Sequence, residues 1–339
     1  MTILVTGGLG YIGSHTVVEL LQNNFEVVII DDLSNTEKFI LKNIEEITGK
    51  KPIFYPFDLK RKELLKQVFD AHQIEGCIHF AAYKAVGESQ VKPIDYYENN
   101  LFSLLNLLQE MKERNISNFI FSSSCTVYGQ ADKMPIDEST PLKLPESSYG
   151  KTKQMGEEIL KDFATAHHKR VTLLRYFNPI GAHPSAKLGE LPIGIPNNLV
   201  PYVMQTAAGV REKLSVWGDD YPTEDGTAIR DYIYVVDLAK AHLKALQKLI
   251  SENSNTVIDI YNLGTGKGSS VLEVVHAFEK ANDVAVPYQI CERRAGDITI
   301  AYANADKAEK ELGWKSETSL EEALRTVWQW QKYLETREK

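Results

Sequence analysis

Short apolar runs rich in β-branched residues recur along the first half of the chain, at 2–6, 26–30, 53–56, 76–80, 118–122 and 171–175. Each has the length of a strand. The intervening segments, 11–24, 37–48, 60–72, 96–114 and about 148–168, set Leu, Ile and Phe at three- and four-residue spacings among Glu, Lys and Gln, which predicts amphipathic helices. Alternating strands and helices predict a parallel sheet covered on both faces, because every parallel crossover needs a helix to return the chain. The expected class is therefore α/β, with a doubly wound parallel sheet.

The regularity breaks after Asn178, where Pro179, Gly181, Pro184, Gly189, Pro192, Gly194 and Pro196 crowd into eighteen residues. From there to Tyr232 the pattern is irregular. Strand signals return at 232–236 and 258–263 around a helix at 238–251, so the chain is expected to rejoin the first sheet there. A last helix, Ser319 to Glu335, carries Leu320, Leu324, Val327, Trp328 and Trp330 on an apolar face, and both tryptophans read as core residues. Residues 1–178 with 232–263 then form one domain, and 179–231 with 264–339 a smaller α/β lobe.

Composition narrows the possible partners. The chain has 339 residues, 43% hydrophobic and 25% charged, which excludes disordered, collagen-like and coiled-coil classes. Its formal charge of -8 argues against nucleic acid or anionic lipid as a partner, although a local arginine cluster suffices for a small anion. Cys77, Cys125 and Cys291 lie far apart without C-x-x-C spacing, which points to a reducing, cytoplasmic setting. The first residues enter a strand directly instead of a leader, and no apolar run approaches the roughly 18–20 residues that cross a bilayer, so a soluble protein is expected. His79, His167, His168 and His183 make no metal spacing with Asp or Glu, and no metal is expected.

Gly7-Gly8-Leu9-Gly10-Tyr11-Ile12-Gly13 stands where the first strand meets the first helix. Glycines at such a junction permit a tight turn and let backbone N–H groups approach a pyrophosphate at the positive end of the helix. The second strand ends in Asp31-Asp32, eighteen residues after Gly13, where a carboxylate binds the ribose hydroxyls of NAD and repels the extra phosphate of NADP. Asp58 offers either an adenine contact or an N-cap for the helix near Lys60, and Phe80-Ala81-Ala82 either lies against a cofactor or packs the core. Tyr149 and Lys153 are four residues apart and share one helix face. Positive charge from the lysine and from an oxidised nicotinamide lowers the tyrosine's pKa toward that of a usable base. Ser122-Ser123-Ser124 follows the fifth strand, at the sheet edge where ligands bind, and Cys125 beside it reads as a small buried residue, not a nucleophile.

These residues resemble those of the UDP-glucose 4-epimerases, extended members of the short-chain dehydrogenase/reductases with a Rossmann-like sheet. The resemblance spans the chain. It rests on Thr6 to His15, Lys84 to Ser89, Ser122 to Gly129, Tyr149-Gly150-Lys151-x-Lys153, Leu174 to Pro179, Gly194 to Leu199, Thr223 to Thr227 and Arg230-Asp231-Tyr232. It implies a homodimer using NAD to invert C4 of UDP-galactose or UDP-glucose. Tyr149 takes the 4-hydroxyl proton, directly or through Ser124, as hydride leaves C4; the keto sugar turns over and regains hydride on its other face. Gly7, Gly10, Tyr11, Ile12, Gly13, Asp31, Asn35, Asp58, Leu59, Phe80, Ala81, Ala82, Lys84, Asn99, Ser122, Tyr149, Lys153 and Phe177 are implied around the dinucleotide. Lys84, Ser124, Tyr149, Asn178, Asn198, Leu199, Arg230, Arg294 and Asp297 are implied around the UDP-sugar. Each arginine reads equally as a surface ion pair from its residue type alone. Ala301 stands where the resemblance puts a gate, and its small side chain is expected to leave room for the acetamido group of a UDP-N-acetylhexosamine. The competing readings are a nucleotide-sugar 4,6-dehydratase, against which Cys125-Thr126-Val127 lacks the expected carboxylates, and a dinucleotide sensor without catalysis.

Overall fold

The computed structural model describes residues 1–294 and 297–337, so positions 295–296 and 338–339 of the expected lobe lie outside it. In chain order the elements of the first half are β1 (Thr2–Thr6), α1 (Tyr11–Gln22), β2 (Glu26–Ile30), α2 (Phe39–Thr48), β3 (Ile53–Tyr55), α3 (Lys62–Ala71), β4 (Ile74–His79), α4 (Val86–Val91), α5 (Pro93–Glu113), β5 (Asn118–Ser124), α6 (Ser148–His167) and β6 (Arg170–Tyr176). The second half adds β7 (Asn178–Ile180), α7 (Leu199–Ala207), β8 (Leu214–Trp217), β9 (Ile229–Arg230), β10 (Tyr232–Tyr234), α8 (Val235–Ser251), β11 (Val257–Leu263), β12 (Ser269–Ser270), α9 (Val271–Asn282), β13 (Tyr288–Cys291), β14 (Ile300–Ala301), α10 (Asp306–Leu312) and α11 (Leu320–Arg337).

Seven parallel strands form the main sheet in the order β11-β6-β5-β4-β1-β2-β3. Successive side chains along each strand enter opposite cores. Ile3, Val5, Ile29, Ile78, Ile120 and Leu174 join the cluster beneath α1 and α8, whereas Leu4, Val28, Cys77, Phe119, Phe121 and Leu173 join the one beneath α3, α5 and α6. Both faces are thus buried, which is why the strands read as continuous apolar runs instead of alternating ones.

The segment after Asn178 departs from expectation in two ways. The strand predicted at 232–236 is short, Tyr232–Tyr234, and pairs in parallel with β7 in a separate two-stranded sheet; only β11 rejoins the seven-stranded one, beside β6. The region read as irregular also holds α7 and β8, and further on come α9 and β13, the parallel partner of β8. Helix α9 opens on a capping box in which the Ser270 hydroxyl accepts from Glu273 N and the Glu273 carboxylate accepts from Ser270 N.

Of the two tryptophans of the last helix, Trp330 is a core residue and Trp328 is partly buried against that core. Trp330 is buried, its ring stacked near Phe39 and Tyr333, and its indole N–H donates to the Glu190 carbonyl at 3.0 Å. A Cβ on Gly189 would lie 2.5 Å from that ring, so the glycine is the space the indole fills. Trp328 packs edge-on against Phe278. Trp330→Ala is expected to cost about 3–5 kcal/mol in urea unfolding, the range for emptying a large aromatic site, with the far-UV circular dichroism of the folded state unchanged.

Candidate active site

At the carboxyl edge of the sheet lies a cavity of about 1050 Å³, lined from the end of β1 across to α7 and β9. Pockets for one small ligand run to roughly 1,000 Å³, so the space suits a dinucleotide with a second molecule beside it.

The glycine turn closes one end. Gly7 has φ +67°, a left-handed backbone, and a Cβ there would meet Ala81 N at 2.8 Å. A Cβ on Gly13 would lie 2.2 Å from the Gly7 carbonyl oxygen, so no side chain fits without moving α1 away from the turn. Helix α1 starts after Gly10 with no side-chain cap, leaving the first-turn N–H groups to an external acceptor. Asp31 is buried at the cavity wall, and its two carboxylate oxygens accept from Leu9 N and Leu33 N, each at 3.0 Å. Those bonds orient the group while burial raises its pKa. Asn35, Leu59, Phe80, Ala81, Ala82 and Asn99 line the same space. Asp58 lines it too, but it does not cap a helix: α3 begins later, at Lys62, and the carboxylate instead accepts from Lys60 N at 2.8 Å to hold the preceding turn. This donor set, with small residues at the approach and acidic oxygens at the rim, fits NAD.

Tyr149 and Lys153 meet on the first turns of α6, whose start is fixed by the Ser147 hydroxyl accepting from Gly150 N at 3.1 Å. Lys153 is buried, and its Nζ donates to the Ser122 carbonyl at 2.6 Å while lying 4.9 Å from the Phe121 ring centre and 5.9 Å from that of Tyr149. Burial pulls its pKa down to about 7, opposed by the Glu157 charge. Tyr149 differs from the expectation for an activated base. Burial pushes the phenol up to about 12, and only the neighbouring Ser124 hydroxyl works in the other direction. The lysine has spent its nearest bond on a carbonyl, so the protein alone does not make a phenolate. Ser124 ends β5 and accepts from both Thr126 N (3.2 Å) and Thr126 Oγ1 (3.0 Å), which leaves its own proton to donate outward. Ser122 is bonded to the Tyr176 hydroxyl within the wall. Cys125 lines the cavity, but burial pushes its thiol up to about 11, so it is not a thiolate.

Phe177, Asn178, Asn198, Leu199, Arg230, Arg294 and Asp297 line the opposite end. Arg230 is ion-paired with Asp297, and its Nη1 donates to the Ile229 carbonyl at 2.8 Å. Arg294 stands 5.1 Å over the Trp217 ring. Lys84 and Asn198 converge on one carboxylate, Glu190 Oε1, at 2.8 and 2.7 Å. Glu190 and Trp217 stand out only in the structure, since nothing in their local sequence pattern separates them from loop and surface residues. Ala301 is placed differently from the other candidates: it does not line the cavity but is buried in a cluster with Val127, Tyr128, Ile136, Phe177 and Ala303, one residue layer behind the lining residues Phe177, Cys125 and its register partner Arg230. Among the described residues no group of three His, Cys, Asp or Glu is arranged to hold a metal ion, and no helix is long and apolar enough to cross a membrane.

Residues 4–327 match a family model described as GDP-mannose 4,6 dehydratase. The UDP-glucose 4-epimerase of Bacillus subtilis is 52% identical over 98% of this chain and 97% of its own, and that of Erwinia amylovora 52% identical over 98% of each. Among solved structures, a Bifidobacterium longum UDP-glucose 4-epimerase in complex with NAD+ and UDP superposes with a TM-score of 0.95 at 48% identity, covering 98% of both chains. A Stenotrophomonas maltophila UDP-glucose-4-epimerase with NAD and formylated UDP-arabinopyranose gives 0.96 at 45%, covering 99% of both. With this much shared along nearly its full length, the chain belongs to the UDP-glucose 4-epimerase family.

Proposed function

We propose that this chain interconverts UDP-galactose and UDP-glucose by NAD-dependent inversion at C4 of the hexose. The observation that carries this reading is one cavity holding the Gly7–Gly13 cradle, the Tyr149–Ser124–Lys153 group and two arginines at its far end. NAD, when bound, accepts hydride from C4 and returns it. Tyr149 takes the 4-hydroxyl proton directly, or through Ser124, which donates its own hydrogen to the phenol oxygen and accepts the sugar's proton in place of one of the two bonds it takes from Thr126. Lys153, its Nζ 5.9 Å from the centre of the Tyr149 ring, supplies positive charge beside the phenol in its protonated form. Arg230 and Arg294 hold the diphosphate, and the planar guanidinium suits paired phosphate oxygens. The cavity's volume allows the keto sugar to turn while its nucleotide stays anchored. The described stretch Cys125-Thr126-Val127 carries no carboxylate, which favours epimerisation over dehydration despite the name of the family model.

Residues 1–178 with 232–263 are assigned to the cofactor and 179–231 with 264–339 to the UDP-sugar. A cytoplasmic setting accords with three free cysteines. Helices α5 and α6 lie side by side and leave Phe102 and Leu105 on one, and Met155 on the other, about half exposed, with Ile159 and Phe163 continuing the α6 stripe at four-residue steps. Such a stripe fits a second copy of the chain, giving a homodimer. Ala301 shares a small buried cluster with the lining residue Phe177, and its short side chain leaves that cluster space to yield to an acetamido group.

Incubated with UDP-galactose, the protein is expected to form UDP-glucose without steady accumulation of NADH, and absence of turnover would exclude the enzyme reading. Tyr149→Phe should lower kcat about 10²–10⁴-fold, the usual contribution of a general base, with the fold intact by circular dichroism. UDP-N-acetylglucosamine should be accepted by the wild type and rejected by Ala301→Tyr; a wild type inert toward it refutes the gate. Sedimentation should show a dimer for the wild type and a monomer for the doubly substituted Phe102→Asp, Leu105→Asp chain.

A further inference from the structure

Behind the reacting pair lies a polar network that does not line the cavity. Glu157, one helical turn beyond Lys153 on α6, is fully buried, as is Arg175 on β6. The Glu157 carboxylate accepts from Arg175 Nε at 2.8 Å and from Arg175 Nη2, and takes the Ser123 hydroxyl at 2.5 Å. Ser123 and Arg175 are register partners in β5 and β6. The third arm of the guanidinium, Nη1, donates to the Tyr128 hydroxyl at 3.0 Å, and that hydroxyl donates to Asn262 Oδ1 on β11 at 2.7 Å. Tyr128 ends the single 3₁₀ turn that follows Ser124. One carboxylate on the reacting helix is therefore bonded directly to β5 and β6, through Arg175 to the turn after Ser124, and through Arg175 and Tyr128 to β11.

A buried ion pair generally stabilises a fold no better than apolar residues of the same volume. Its place here accounts for it better. We propose that Glu157 and Arg175 are positioning residues for the reaction: together they set α6 against β5 and β6 so that Lys153 stays on the Ser122 carbonyl and Tyr149 stays beside Ser124.

The pair also acts through charge. The groups around Lys153 are Tyr149 and Glu157 on its own helix, the Ser122 carbonyl and Phe121 face on β5, and His79 on β4, which burial pulls down to about 3 and keeps neutral. On β6, Tyr176 is bonded to Ser122 and Arg175 lies behind Glu157. Glu157 is the one negative charge among these that favours the charged lysine, beside the Ser122 carbonyl and the Phe121 face and against the pull of burial. Removing its charge lowers the lysine's proton affinity further and leaves Arg175 as an unbalanced positive neighbour. The ammonium is then lost at lower pH, and activity falls earlier on the alkaline side.

This inference rests on the epimerase reading, and wild-type turnover of UDP-galactose tests that reading separately. With NAD-loaded enzyme, Glu157→Gln, which keeps the side chain's shape, is expected to lower kcat about tenfold or more while KM stays within about twofold, since a displaced reacting group costs rate before binding. Its alkaline limb should move down by roughly one pH unit. Tyr128→Phe keeps the ion pair and cuts its tie to β11; kcat should fall several-fold with the limb unmoved. A Glu157→Gln enzyme with wild-type kcat and wild-type alkaline limb overturns the proposal. If that variant does not fold, Tyr128→Phe decides, and wild-type kcat in it overturns the proposal equally.

Discussion

Parallel pairing is the constraint on which this molecule is built. Because all seven strands of the main sheet run the same way, their carboxyl ends fall on one edge, and the register aligns Thr6 with Ile30 and His79, and Ser124 with Tyr176. Glycine turn, acidic rim, hydroxyl run and reacting helix all leave the sheet from that edge. The helices that parallel crossovers demand cover both faces, so the edge is where backbone and polar side chains remain free. The close contact of Gly13 with the Gly7 carbonyl belongs to the same constraint, since it seats α1 directly on the end of β1.

Burial gives the site its chemistry and also its limits. An ammonium and a phenol enclosed together are both driven toward their neutral forms, Lys153 downward and Tyr149 upward. The wall answers with fixed dipoles and charge: the Ser122 carbonyl on the lysine, the Ser124 hydroxyl near the phenol and Glu157 behind. The lysine's positive charge is weakened by the same burial, so the phenol gains only part of the help an exposed ammonium would give. At the far end the balance is different, because Arg230 is already neutralised by Asp297 at a half-open wall, where an exchange of partners with an incoming anion costs little.

Where reading the chain fell short, the causes are specific. The helix α9 has both a capping box, Ser270 with Glu273, and an amphipathic stripe, so its signal was present but masked by the loop-rich stretch before it. The segment 232–236 does carry a strand pattern, yet pattern says nothing about the partner, and β7 claimed it. Asp58 has an acid's usual place ahead of a helix, but the N-cap position falls to Arg61, three residues further on. Glu190 gathers Lys84 and Asn198 from positions 106 and 8 residues away, and no local spacing announces such a meeting.

The chain by itself determined the α/β class, the glycine turn with its acidic partner at the end of β2, and the Tyr149–Lys153 pair. These are short-range properties: hydrophobic period, the conformational freedom of glycine, and four-residue spacing on a helix. Tertiary structure alone decided which edge residues share a cavity, that Lys153 bonds a carbonyl instead of the phenol, that Ala301 is buried in the cluster behind the cavity wall and not in the wall itself, and that Glu157 is locked to Arg175. Those facts depend on contacts between residues tens to hundreds of positions apart and on the loss of water around them, and neither is encoded in any local stretch of sequence.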